Sequence, residues 1–240
     1  MNNNIVLISG KSTTGKSTCL KDIEDLNGVL YLNCESNKAL TFPNANKVRA
    51  KTILDPYTIY ALFDKAEKSD KIHTIVIDSI TYCMDLFETK YIQAAADTQA
   101  GWGQYAEFFK KLMNTYVAKS TKRIVIIGHT ADVHNEKEMI TETMVKVKGS
   151  LMTRGLESAF TNVVSTKRMD LEDLEGFENE YLNITEQDEI LGFKYVFQTN
   201  LTKETRNERI RGPIGMWERN ETYIDNNIEY VFKKIAEYYN

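Results

Sequence analysis

The segment Gly10-Lys11-Ser12-Thr13-Thr14-Gly15-Lys16-Ser17 fits the pattern GxxxxGK[ST] at every specified position, and the apolar run Ile5-Val6-Leu7-Ile8 leads directly into it. A buried strand that hands a glycine-rich loop to a helix N-terminus gathers free backbone N–H groups and a positive dipole end at one point. Phosphate oxygens are the natural ligand there. Residues Gly10 to Thr18 would form the cradle, Lys16 would reach the β- and γ-phosphates, and the Ser17 hydroxyl would ligate Mg2+. The pattern therefore implies a nucleotide site, with ATP and Mg2+ as the expected ligands.

Beyond this loop the chain alternates strands and helices. Residues 18–25 are expected as the helix after the loop, residues 29–32 as a short buried strand, and a small strand should follow near Val48. Asp55 and Pro56 should open a helix to about Glu67, because Asp caps well and Pro is favoured in a first turn. Thr74-Ile75-Val76-Ile77-Asp78 reads as a strand ending in a carboxylate. Tyr105, Phe108, Phe109, Leu112 and Tyr116 recur at helical spacing before the strand Ile124-Val125-Ile126-Ile127. This pattern predicts an α/β fold, a mainly parallel central sheet flanked by helices. Strands near residues 161–166 and 193–199 should add antiparallel pairing at the C-terminal edge. A single domain over residues 1–240 accommodates all of it, with an insert at about 169–191 that holds many Asp and Glu and no Lys or Arg. That insert is expected as a solvated hairpin tip facing away from any nucleic acid.

Asp78 is the expected second half of the nucleotide site. A carboxylate at the carboxyl end of a buried strand can hold the water shell of a magnesium ion opposite Ser17. The residue after it is Ser79, so a water-activating carboxylate has to come from elsewhere. Glu35 follows the second predicted strand on the side where strand ends face the ligand crevice, which makes it the candidate. His129 ends the strand after Asp78, close to where a γ-phosphate would lie.

The net charge of −4 argues against a uniformly basic coat, although a local basic stripe remains compatible with it. Cys19, Cys34 and Cys83 are scattered without CxxC spacing and read as reduced thiols, with no zinc site indicated. No apolar run approaches membrane-spanning length and no secretory leader is evident, so no membrane partner and a cytoplasmic location are expected.

The loop, the carboxylate of Glu35, the Ile75-Val76-Ile77-Asp78-Ser79 segment and the polar-tipped Ile126-Ile127-Gly128-His129-Thr130 strand together resemble the RecA/RadA class of P-loop ATPases. In size and layout the chain is similar to the core-only RecA-like proteins of bacteriophages, including single-strand annealing recombinases of the fourth Sak group. The resemblance implies ATP hydrolysis coupled to single-stranded DNA, in recombination, annealing or replication inside a host cytoplasm. It also implies a homo-oligomer, as ring or filament, and a single-strand-binding protein as a possible partner. DNA-facing loops would fall at roughly residues 82–103 and 131–154, and His129 resembles the polar residue that couples nucleotide state to the second of them. A Lys or Arg supplied by a neighbouring subunit would complete the site, for which Lys167 and Arg168 are the first candidates and Arg209 and Arg211 the next.

Read on its own residues, Met144-Val145-Lys146-Val147-Lys148-Gly149 puts Lys146 and Lys148 on one face of an extended segment, with Arg154 close behind. Such a stripe suits the phosphates of a single strand, and equally the lysines that protect an edge strand. Trp102, between Gly101 and Gly103, offers a ring for base stacking or a core side chain. A small-molecule kinase and a nucleotide-gated packaging or repair accessory share the loop and stand as alternative functions.

Overall fold

The computed structural model describes residues 2–136 and 139–239. Among these residues nine strands form one sheet. β1 (Ile5–Gly10), β2 (Val29–Asn33), β3 (Arg49–Thr52), β4 (Thr74–Asp78), β5 (Arg123–Asn135), β6 (Ile140–Val145), β7 (Asn162–Asp170), β8 (Phe193–Gln198) and β9 (Tyr223–Asp225) follow in chain order. Their spatial order is β3-β2-β4-β5-β1-β7-β8-β9, with β6 paired to the far half of β5. The strands from β3 to β7 run parallel, and β8 and β9 add antiparallel pairs at the far edge. The expected architecture is present, with β5 standing between the loop strand β1 and the Asp78 strand β4.

The central strands are apolar on both faces, as parallel strands covered on both sides must be. Leu7, Leu32, Ile75, Ile77 and Ile126 point into one cluster with Phe63, Phe87, Tyr105 and Phe108. These aromatics come from α1 (Thr58–Glu67), α2 (Ile80–Phe87) and α3 (Thr98–Lys111). Val6, Ile8, Val76, Val125 and Ile127 point the other way, onto Leu20 and the C-terminal helix. Each such side chain contributes about 1.5–3 kcal/mol by leaving water, and truncation to Ala in so closed a core costs about 2–5 kcal/mol. Two short helices complete the set in chain order: α4 (Gly149–Arg154) and α5 (Glu186–Leu191) precede the C-terminal α6 (Ile228–Tyr239). α6 buries Ile228, Val231, Phe232 and Ile235, a spacing of three and four residues that the reading from sequence had passed over.

Three expectations need correction. The helix expected over residues 18–25 is a single 3-10 turn, Ser17–Leu20. The connection to β2 is short, Cys19 and Leu20 are drawn into the core, and Asp25 caps a second tight turn at Leu26–Gly28, so no room is left for several α-turns. The two segments expected as DNA-facing loops carry regular structure. Residues 82–103 continue α2 through the helical turns Glu88–Ile92 and enter α3, whose first residues are capped by Asp97. Residues 131–154 form the β5–β6 hairpin, with register Thr130↔Val145 to Asn135↔Ile140, followed by α4; Lys137 and Glu138 of this segment lie outside the described residues. Finally, the acidic insert is no free hairpin tip. Leu174 and Tyr181 are buried against the sheet, and α5 packs beside β8 with a reciprocal cap between Thr185 and Asp188.

Candidate active site

Parallel register brings the chemically active side chains to one end of the sheet. Gly10 pairs with His129 across β1 and β5, Asp78 with Ile127 across β4 and β5, and Asn33 with Asp78 across β2 and β4. Everything that follows the carboxyl ends of these four strands therefore faces one crevice.

The loop after β1 is held by its neighbours. Thr13 and Gly15 take positive φ values of 65° and 90°. At Gly15 an added Cβ would also meet Asn226 Nδ2 at 2.5 Å, so glycine is required twice over. A Cβ at Gly10 would overlap Thr166 Oγ1, which instead lies 2.5 Å from Thr14 Oγ1 and ties the loop to β7. Asn226 donates through Nδ2 to the Gly15 carbonyl oxygen at 2.8 Å. Lys11 meets Asp132 of the hairpin at 3.0 Å.

Lys16 is buried, and its Nζ donates to the Lys11 carbonyl oxygen at 2.5 Å. Loss of hydration outweighs attraction to Asp78 and Glu35 and brings its pKa down to about 8. Asp78 is buried too, and burial raises its pKa. Its Oδ2 accepts from Ser17 Oγ at 2.6 Å and from Tyr31 OH at 2.7 Å. Two hard oxygen groups side by side, one of them a buried carboxylate, fit a magnesium ion that keeps most of its waters. Ser79, where other sites carry a second carboxylate, caps α2 by accepting from Tyr82 N.

Opposite them, Glu35 and His129 are in contact. His129 Nε2 lies 2.6 Å from Glu35 Oε1, and this hydrogen bond, against the opposing effect of burial, holds the Glu35 carboxyl at a pKa of about 2. Asn33 fixes the turn by accepting from Glu35 N at 2.9 Å, and Lys38 Nζ approaches the second carboxylate oxygen at 3.4 Å. The His129 backbone N–H donates to Thr81 Oγ1 at 3.0 Å. Lys16, Ser17, Tyr31, Glu35, Lys38 and His129 line one cavity of about 400 Å³, with the loop as its floor. The sequence placed Lys16, Ser17, Glu35, Asp78 and His129 singly, and the fold assembles them. Tyr31 was missed, although a lone hydroxyl in an apolar strand was a signal. Asn226 and Thr166 gave none, since they reach the loop only through the closed sheet.

The remaining candidates are scattered. Lys146 and Lys148 are exposed on either side of the buried Val147, as alternation required. Lys148 is ion-paired to Glu88 at 2.5 Å. Trp102 is half-buried with its ring 5.3 Å from Tyr105, in the core-facing position. Arg154 is exposed at the end of α4, beside Lys110 and Lys111 along one groove. Lys167 is ion-paired within the chain to Glu208, Arg209 to Glu142 at 3.2 Å, and Arg168 is exposed over the Phe193 ring at 5.2 Å. No helix among the described residues is long and apolar enough to cross a membrane.

A family model described as an AAA domain matches residues 2–191, which include the loop, Glu35, Asp78 and His129. Comparison with curated proteins gives no match.

Proposed function

The chain belongs to the AAA-domain family, which makes it a P-loop ATPase of AAA type, and on that premise we propose that it hydrolyses ATP in this cavity and couples turnover to single-stranded DNA. The observation that carries the reading is the opposition of two pairs across one cavity, Ser17 with Asp78 and Glu35 with His129.

Lys16 turns from the Lys11 carbonyl to the triphosphate and is held in its charged form there, next to the loop amides. Ser17 directly, and Asp78 through water, would hold the magnesium ion, which when bound neutralises charge on the phosphoryl oxygens. Glu35, once His129 releases it, orients a water for in-line attack on the γ-phosphate. The hairpin begins at His129, whose carbonyl oxygen accepts from Lys146 N at 2.8 Å. A change at the γ-phosphate thus reaches Lys146 through one residue. The exposed face of Lys146 and Lys148 and the resemblance to phage single-strand annealing recombinases support DNA as the coupled ligand. They favour a role in recombination, annealing or replication, with a second copy of the chain supplying Arg168 or a neighbouring cation in trans.

The test is ATP hydrolysis with and without single-stranded DNA at low salt. Stimulation is expected; turnover indifferent to any DNA removes the DNA half of the proposal.

A further inference from the structure

A second cavity, of about 490 Å³, lies across the loop from Glu35 and His129, and the two cavities share Thr13, Gly15 and Thr18. We propose that it takes the nucleoside of the bound nucleotide, with Tyr195 as the platform for the base. This rests on the phosphate-loop reading above and assigns residues that the matched family segment does not reach: Lys194, Tyr195, Asp225 and Asn226 all follow residue 191.

Charge distinguishes the two ends. The first cavity presents Lys16 and Lys38 beside the Ser17–Asp78 pair and suits phosphate. In the second, Asp22, Asp188 and Asp225 face Lys21 and Lys194. Lys194 is already neutralised between Asp188 at 2.9 Å and Asp225 at 3.2 Å. The wall is net acidic: it repels phosphate and is rich in acceptors for hydroxyl and amino groups of a neutral nucleoside. Tyr195 offers the flat surface. It is 39 % exposed, held edge-on by Phe193 at 5.6 Å, and its ring would lie 3.5 Å from a Cβ at Gly15, which sets it directly beside the loop. The wall is also built firmly. Asn226 fastens it to the Gly15 carbonyl, and the Thr185–Asp188 cap fixes the acidic insert that closes it. The insert that sequence placed out in solvent is thereby a wall of the nucleotide site.

Calorimetry with ATP and with inorganic tripolyphosphate, both with Mg2+, separates the two ends. Tyr195→Ala should weaken ATP by roughly tenfold, the worth of one base stack, and leave tripolyphosphate unchanged. Tyr195→Phe should bind both as the parent does. Tyr195→Trp should show emission quenched by ATP and not by tripolyphosphate. Lys16→Ala should lose both ligands. If the parent binds neither, the phosphate-loop reading itself falls and takes this assignment with it. If the parent binds both, and Tyr195→Ala binds ATP undiminished or loses tripolyphosphate equally, the nucleoside assignment alone is overturned.

Discussion

His129 Nε2 stands 2.6 Å from Glu35 Oε1, so the carboxylate proposed to direct a water is engaged by the residue that opens the hairpin. In this arrangement Glu35 is held, and the proposed mechanism requires nucleotide binding to release it. Glu35→Gln keeps the shape and a hydrogen bond to His129 while removing the charge. Hydrolysis should fall by about 10²–10⁴-fold with ATP affinity within about twofold, measured as phosphate release and by calorimetry. Unchanged turnover would reassign the water-directing group.

The same contact has an acid limit. The Glu35 pKa is about 2 against an ordinary value of 4.5, so the folded state holds this proton less tightly than the unfolded chain. Stability from the pair is therefore present above pH 4.5 and lost as pH falls toward 2. Solvent reaches this carboxylate, and screening brings the size down to on the order of 1–2 kcal/mol. His129→Ala should be less stable than the parent in denaturant at pH 6, and the gap should narrow steadily as the pH is lowered through 4.

Lys16 has the opposite effect on the fold itself. Burial brings it to about 8 from 10.5, so it destabilises the nucleotide-free fold at neutral pH, and stability should rise as pH climbs from 8 to 10.5. Lys16→Met should gain on the order of 1–3 kcal/mol without nucleotide and lose ATP binding. Because phosphate recharges the amine, ATP affinity of the parent should decline above pH 8. Proton uptake should appear as a buffer-dependent binding heat.

Tyr31 and Ser17 converge on one oxygen of Asp78. Tyr31→Phe leaves that oxygen with Ser17 alone and should cost about 1–2 kcal/mol in thermal or denaturant unfolding. The Mg2+ concentration for half-maximal hydrolysis should shift, while Asp78→Asn should abolish the dependence on Mg2+ together with turnover.

The two hairpin lysines should differ. Lys148 is tied to Glu88, whereas Lys146 is exposed and, among the described residues, engaged through its backbone by His129. Lys146→Ala should weaken single-stranded DNA and reduce the slope of log affinity against log salt by about 0.7, and Lys148→Ala should do less. Equal effects would mean that Glu88 yields Lys148 freely to phosphate.

Legibility followed contiguity. The loop, Asp78 and the β-strand ends were readable because short runs of sequence carry them, and parallel register then places such ends together. Glu35 and His129 were each readable, yet their mutual bond was not, since it joins residues 94 positions apart. The short turn after Ser17 was misread because helical propensity says nothing of how soon β2 must begin. The acidic insert was misread because charge density concealed Leu174 and Tyr181, whose burial folds it back. Asn226 reaches Gly15 over 211 residues, and no local pattern announces that.

β5 is one uninterrupted strand whose first half is a stave of the core and whose second half is an arm of the hairpin. The hairpin leaves the core at Gly128–Thr130, where Gly128 has no room even for a methyl group against Val145, and farther out it is held by Thr143 N on the Asn207 carbonyl and by the Arg209–Glu142 ion pair. A strand advances about 3.3 Å per residue, so Asn135 at the end of β5 stands roughly 20 Å beyond His129. The strand that carries His129 into the site and the strand that carries the hairpin outward are thereby one piece of backbone, with no joint between them.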